Sequence, residues 1–192
     1  MSDYLTANFG LHVIERTDRF TLLGADARRG KLTLFDAEGP REHGPLKHVA
    51  LRARDADESV HDLGEGVEVH VVSADTEVDY DLDSVALYSA DPEATARQYL
   101  SLGFNEADAR AGVPRVEVGG AYVEFHPGEV EESERPLLNH LGVLVDRADD
   151  AKELGLEVAD VVDAPNTYAV FVWGPEHVKI EYIEHKPTFS LA

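Results

Sequence analysis

The sequence predicts an α+β fold of tandem strand–helix–strand–strand–strand (βαβββ) modules forming curved half-barrel sheets, the first two modules abbreviated. Three observations predict it. An internal repeat sets Leu82–Phe125 beside Asn139–Tyr182, and self-similarity at a fixed period defines an architecture ahead of any single motif. Within both copies apolar and polar residues alternate over short runs, as in half-buried strands. Turn residues punctuate those runs, Gly119-Gly120 in the first copy and Gly174-Pro175-Glu176-His177 in the second.

The first full copy opens with the alternating strand Asp83–Leu87, stopped by Ala90-Asp91-Pro92. Asp91 caps a helix and Pro92 enters its first turn. Ala96, Tyr99 and Leu100 then fall at amphipathic spacing, and Gly103 ends the helix. Strands follow around Phe104, over Arg115–Val118 and over Ala121–His126. The second full copy begins with Asn139–Val145, passes through a helical stretch near Asp149–Leu154 to Gly155, and continues with strands near Glu157–Val162, Thr167–Trp173 and Val178–Ile183.

Upstream the same grammar is reduced. Leu5–Gly10 reads as the end of a helix, followed by strands Leu11–Glu15, Phe20–Leu23 and Lys31–Phe35, with no first strand before Leu5. Leu46–Arg52 is then a first strand, Ala56–Leu63 a short helix and Val67–Val72 a strand. This module runs short: His48 to Ser84 spans 36 positions where Ser84 to His140 spans 56, a deficit of about two strands of ordinary length. The chain therefore divides into an abbreviated structural pair, residues 1–78, and a complete pair with the candidate site, residues 79–192.

Composition narrows the function. Hydrophobic residues make up 43% of the 192, enough for a packed core, so the formal charge of −21 belongs to a folded acidic surface and not to a disordered tail. Five lysines and twelve arginines face thirty-eight acids spread along the whole length. That balance argues against nucleic acid and against anionic membranes as partners. With no cysteine, neither disulfides nor thiolate metal ligands exist. No stretch approaches eighteen apolar residues, and no basic-plus-apolar leader opens the sequence, so a cytoplasmic protein is expected.

Strand alternation singles out a set of polar residues. His140, Gly142 and Leu144 share one face against Leu141, Val143 and Val145; Tyr122, Glu124 and His126 oppose Val123 and Phe125; Lys179, Glu181 and Ile183 oppose Ile180 and Tyr182. If the apolar sets pack under the helices, one imidazole and two carboxylates turn to the open side. Carboxylates gathered there repel and lose solvation unless a cation compensates.

The order of these modules, with the phrases Phe9-Gly10-Leu11, Asn139-His140-Leu141-Gly142-Val143 and Gly174-Pro175-Glu176-His177-Val178-Lys179-Ile180-Glu181, resembles the vicinal-oxygen-chelate superfamily of glyoxalases, bleomycin-resistance proteins and extradiol dioxygenases. The resemblance covers nearly the whole chain. It implies paired modules curved around a divalent metal, with one ligand position on each first strand and one on each last strand. Those positions would be Ser84, Glu124, His140 and Glu181 in the complete pair; Ser84 to Glu124 is 40 positions and His140 to Glu181 is 41. In the abbreviated pair only Thr33 and His48 correspond. The expected metal ligands are His140, Glu181 and Glu124, with Glu124 and His126 as acid/base candidates. The ion would be Zn, Mn, Fe, Ni or Co. His12, His43, His61, His70, His177 and His185 read as surface or turn residues.

Extradiol ring cleavage is disfavoured. Ser84 stands where that chemistry places a His, Phe171 where its signature carries a Tyr, and Val162-Asp163-Ala164 where a further His is expected. Three readings remain: a glyoxalase-like metal-dependent lyase, isomerase or epimerase on a small vicinal-oxygen metabolite; a metal-free, bleomycin-resistance-like protein that binds or sequesters a small ligand; and a structural or regulatory protein. A homodimer is the expected cover for strand edges left open by the abbreviated modules.

Overall fold

A computed structural model describes residues 1–130 and 133–190. Helix α1 (Ser2–Phe9) leads into a three-stranded antiparallel sheet, β1 (His12–Arg16), β2 (Phe20–Gly24) and β3 (Lys31–Phe35). Next come β4 (Leu46–Ala53), β5 (Ser59–Asp62), β6 (Glu68–Ser73), β7 (Asp81–Ser89), helix α2 (Pro92–Leu100), β8 (Asn105–Arg110), β9 (Val113–Val118) and β10 (Ala121–Pro127). These strands form one seven-stranded sheet in the order β5-β6-β4-β7-β10-β9-β8. The last module is β11 (Leu141–Leu144), a 3-10 segment (Ala148–Glu153), β12 (Val158–Asp163), β13 (Thr167–Trp173) and β14 (Lys179–His185), a four-stranded sheet in the order β11-β14-β13-β12. The sheets are open and curved, as the α+β reading expects, and no helix among the described residues is long and apolar enough to cross a membrane.

Both complete modules share one topology. The first strand pairs parallel with the last, β7 with β10 and β11 with β14, and the two middle strands follow antiparallel. Local signals act as the sequence suggests. Asp91 accepts the Ala94 N–H at 3.0 Å with Pro92 opening α2, which satisfies an orphan donor of the first turn. Gly119 and Gly120, at φ 59° and 83°, close the β9–β10 hairpin.

Two features of the second module differ from the sequence reading. Residues 56–63 form no helix: Ser59–Asp62 is strand β5, paired antiparallel with β6 from Ser59↔Val71 to Asp62↔Glu68. The turn Gly64-Glu65-Gly66, all at positive φ, folds the chain back, and non-local pairing prevails over a local helical pattern. Nor are two strands missing, as the spacing suggests. Strand β6 pairs parallel with β4, as last strands pair with first strands in the complete modules. What this module lacks is the helix and the second strand.

Strands β4 and β7 pair antiparallel, so one sheet takes strands from both sides of residue 78. Its apolar residues Leu87, Val116, Val123 and Phe125 join Tyr99 and Phe104 and also Leu141, Val143, Val170, Val172, Ile180 and Tyr182 of the four-stranded sheet in a single buried cluster. Helix α2 lies within it. The Tyr182 hydroxyl donates to Leu102 O at 2.7 Å and Thr95 Oγ1 to Glu176 Oε1 at 3.0 Å, tying the two modules together. A second cluster gathers Leu5, Phe9, Leu11 and Leu23 under Leu51, Val69 and Val71. The seven- and four-stranded sheets thus pack through their apolar faces, and their polar faces turn away from each other.

Candidate functional sites on two polar faces

On the four-stranded sheet the polar face carries His140 and Glu181. His140 stands just before β11, and Glu181 pairs across to Gly142. The imidazole Nε2 lies 3.0 Å from Glu181 Oε2, and both side chains are largely covered. His140 Nδ1 lies 2.9 Å from Asn139 Oδ1. The rings of Phe171 and Phe35 meet the imidazole edge-on, at centroid distances of 5.4 and 5.8 Å. Phe171 faces Glu181 across the β13–β14 pairing, and Phe35 comes from β3. At Gly142 an added Cβ would lie 3.7 Å from Glu181 Oε2 and 3.3 Å from Ile183, so the bare backbone lets the carboxylate settle against the strand.

On the seven-stranded sheet the polar face is richer. A register shift between Leu46 and His48 interrupts the β4–β7 ladder; such a bulge places two successive side chains towards one face, and here both Lys47 and His48 reach it. His48 stacks on His70, centroids 3.7 Å apart and planes 9° apart, and meets His126 edge-on at 5.9 Å. Lys47 Nζ is 3.0 Å from His126 Nδ1, and His126 Nε2 is 3.6 Å from Glu124 Oε2. Arg110 NH1 and NH2 donate to Asp83 at 2.6 and 3.0 Å, and NH1 stands 3.6 Å from Glu124 Oε1. Arg115 lies over the Tyr122 ring at 4.0 Å, with its NH1 4.0 Å from Glu124 Oε1.

Burial, then electrostatic repulsion from the neighbouring His70, Lys47 and His126 side chains, pushes the His48 pKa down to about 3. Burial and Lys47 also lower that of His126, against the opposing pull of Glu124. Both imidazoles are neutral near pH 7. The ammonium of Lys47 can only donate, so His126 accepts at Nδ1 and carries its proton on Nε2, towards Glu124.

The expected ligands are therefore divided. His140 and Glu181 come together; Glu124 stands with His126, Arg110 and Arg115 on the other sheet. The physical reason is the shared core: Val123 and Phe125, which alternate with Glu124, and Leu141 and Ile180, which flank the His140–Glu181 face, all point into one cluster. Faces that alternate away from a common core point in opposite directions. Among the described residues no three His, Asp or Glu side chains form a group that could hold one ion.

The register also exposes a residue the sequence reading set aside. Glu124 pairs with Ala86 and Glu181 with Gly142, each two residues past the first-strand position; His70 pairs with Ala50, two past His48. His70 is thus the last-strand counterpart in the second module and not an isolated surface residue. Its short separation from His48 hid it, because a helix and a strand are absent between them. Lys47 sits at a bulge and Arg110 at the end of β8, where alternation gives no guidance, and Asp83 and Arg115 lie within strands whose polar residues the sequence reading did not single out.

No protein-family model matches the sequence, and no curated protein matches it. Among solved structures, a Bacillus subtilis protein described as a "putative dioxygenase" superposes with a TM-score of 0.69, covering 97% of this chain and 81% of its own at 12% identity. A lactoylglutathione lyase from Agrobacterium tumefaciens covers 54% of this chain and 92% of its own, at TM-score 0.42 and 18% identity. At such identities the likeness is one of fold. Four tandem modules of the 1-4-3-2 strand order, two of them abbreviated, make the fold that the vicinal-oxygen-chelate resemblance implies, and this chain shares its fold with the Bacillus subtilis protein.

Proposed function

We propose that this protein is a divalent-metal-dependent enzyme acting on a small metabolite with adjacent oxygen atoms, and that His140 and Glu181 are its protein-borne metal ligands. One observation carries the reading. The Asn139 Oδ1 atom can only accept, so the Nδ1 it contacts at 2.9 Å must carry the imidazole proton. With its single proton on Nδ1, the imidazole presents the Nε2 lone pair to Glu181 Oε2 at 3.0 Å, acceptor against acceptor. A proton or a shared cation removes that repulsion. An orienting contact on the far nitrogen is what a metal-bound His ordinarily has, and an imidazole beside a carboxylate suits Zn, Mn, Fe, Ni or Co.

Two protein donors leave several coordination positions for water and substrate. The ion would supply Lewis acidity to a substrate's adjacent oxygens. The chain's own part is to orient and to exclude water: Asn139 fixes the tautomer, while Phe35 and Phe171 cover His140 and strengthen nearby electrostatics. Glu124 and His126 lie across the core from this pair and take no part in it.

The test is metal content after purification without chelators, comparing the native chain with His140→Ala and Glu181→Gln, with circular dichroism as a check on folding. The native chain retains a divalent ion and the folded variants lose it. Negligible metal in all three would instead make this a metal-free small-ligand-binding protein.

A further inference from the structure

Strand order leaves one place in the fold unfilled. In the seven-stranded sheet the first strand β4 lies between β6 and β7, parallel to the one and antiparallel to the other. The counterparts of β6 and β7 in the outer modules are β3, a last strand, and β11, a first strand. No described strand lies between these two, and they share no hydrogen-bonded pairing. They nevertheless face each other. At one end the Phe35 ring meets the His140 ring at 5.8 Å. At the other, burial and then the Lys31 charge push the pKa of His185, at the end of β14, down. Strand β3 therefore runs antiparallel to β11, as β6 runs to β7. Side chains bridge the space, and backbones do not.

Both edges turn backbone groups towards this slot. The Val145 N–H donates to Ile183 O on β14, so the alternate residues Gly142 and Leu144 point their N–H and C=O outward. Just past β3 the Asp36 N–H donates to Arg19 O on the β2 side, so Thr33 and Phe35 point theirs outward too. Towards the core the slot is apolar, with Leu32 and Leu34 on one side and Leu141 and Val143 on the other. Its Lys31 end opens on a cleft of about 540 Å³ lined by Leu144, Val145, Asp146, Glu184 and His185. The cations around that cleft are engaged elsewhere. Arg147 pairs with Asp150, Lys186 with Asp163, and Lys31 Nζ donates to Arg29 O. Glu184 accepts only the Ala148 N–H, and Asp146 is exposed. Two carboxylates hold this end negative.

We infer that the slot between β3 and β11 binds an extended, basic segment of a partner polypeptide as an added strand. The segment runs parallel to β3 and antiparallel to β11. Main-chain hydrogen bonds to both edges supply its affinity, and alternate side chains supply its specificity. A strand parallel to β3 begins at the Lys31 end, which sets a leading Lys or Arg beside Asp146 and Glu184. The chain itself shows what fits such a place. Strand β4, between β6 and β7, reads Leu46-Lys47-His48-Val49-Ala50-Leu51-Arg52-Ala53, apolar at alternate positions and basic without an acid. No metal is required, and the His140–Glu181 reading is not a premise.

The probe is a fluorescein-labelled synthetic peptide of the β4 sequence, titrated with the protein and followed by fluorescence anisotropy. EDTA is present, with salt at about 0.15 M to screen loose charge attraction. The peptide binds saturably. The same peptide with proline in place of its valine has equal charge but lacks one ladder donor, and it binds at least tenfold more weakly. Leu144→Pro and Thr33→Pro each remove one outward N–H and leave the β14 and β2 ladders intact, a placement that edge strands tolerate. Both keep the native circular dichroism and both weaken the peptide at least tenfold. Asp146→Asn, a surface change, weakens it severalfold and keeps the test open if a proline variant misfolds. No saturable binding, equal binding of the two peptides, or equal binding by the native chain and Asp146→Asn would each overturn the inference. So would unchanged binding by either folded proline variant, which would mean one open edge and no slot. Self-association abolished by both proline variants, without peptide binding, would overturn it in favour of a second copy. Failure here leaves the metal reading standing, because chelator is present throughout.

Discussion

Glu124 and Glu181 hold the same place in their modules, each opposite the residue two past the first-strand position, yet they face opposite sides of one shared core. Leu141, Val123, Phe125 and Ile180 bury that core between them. The repeat therefore makes two polar clusters of different character and not one. On one side a His–Glu pair sits among phenyl rings; on the other a mixed set of imidazoles, guanidinium groups and a carboxylate gathers over small residues.

The Asp83–Arg110 pair anchors the second face. Asp83 is fully buried and receives two hydrogen bonds from Arg110, itself about a third exposed. Removing one partner of such a pair strands the other charge. Arg110→Gln should destabilise the fold by about 3 kcal/mol, read by urea denaturation at pH 7, whereas Asp83→Asn with Arg110→Gln together should cost less than the sum of the single changes. Additive losses would mean that the two side chains do not depend on each other.

His48 makes stability pH-dependent in a stated direction. Its folded-state pKa is pushed down to about 3 by burial and by His70, Lys47 and His126, while in the unfolded chain it is near 6.5. Above pH 6.5 both states are neutral and the residue is silent. Below it the unfolded chain takes up a proton that the folded chain refuses, so stability falls as pH drops from about 6.5 towards 3. The slope approaches about 1.4 kcal/mol per pH unit for one such group, and His126, shifted the same way, adds to it. Between pH 6.5 and 5, before the carboxylates titrate, His48→Gln should flatten the dependence measured by thermal unfolding. An unchanged slope would show that His48 titrates normally.

The strand edges bear on self-association. In the seven-stranded sheet β4 fills the place between β6 and β7; β3 and β11 each end their sheets instead. Beside β11 a cleft of about 540 Å³ is lined by Leu144, Val145, Asp146, Glu184 and His185, and Leu144 is 63% exposed. Open edges beside apolar side chains invite another chain. We propose a homodimer: sedimentation equilibrium should give twice the 21.1 kDa of the chain, and Leu144→Lys should shift it towards monomer. A single species of 21.1 kDa for the native protein would refute this.

Much of this was legible in the sequence. The repeat located Glu124, His140 and Glu181 in equivalent register, and alternation assigned their faces correctly: Leu141 and Val143 are buried while Gly142 and Leu144 are exposed. What alternation could not tell was whether two polar faces look into one hollow or two, because that depends on how sheets stack, a non-local matter. The strand Ser59–Asp62 was hidden for the same reason, since only pairing with Glu68–Val71 makes it a strand. His70 escaped because a spacing rule taken from complete modules fails where a helix and a strand are missing. Lys47 is aimed by a bulge, and no period-two pattern can anticipate a residue that breaks the period.

The account rests most directly on whether His140 and Glu181 share a cation. Titration of the chelator-stripped protein with Mn²⁺, followed by electron paramagnetic resonance of the free ion, measures it. One Mn²⁺ should disappear per chain, with affinity reduced at least tenfold in both His140→Ala and Glu181→Gln and unaffected in Glu124→Gln. Equal weak uptake by all four proteins, or loss of the ion on changing Glu124, would contradict it.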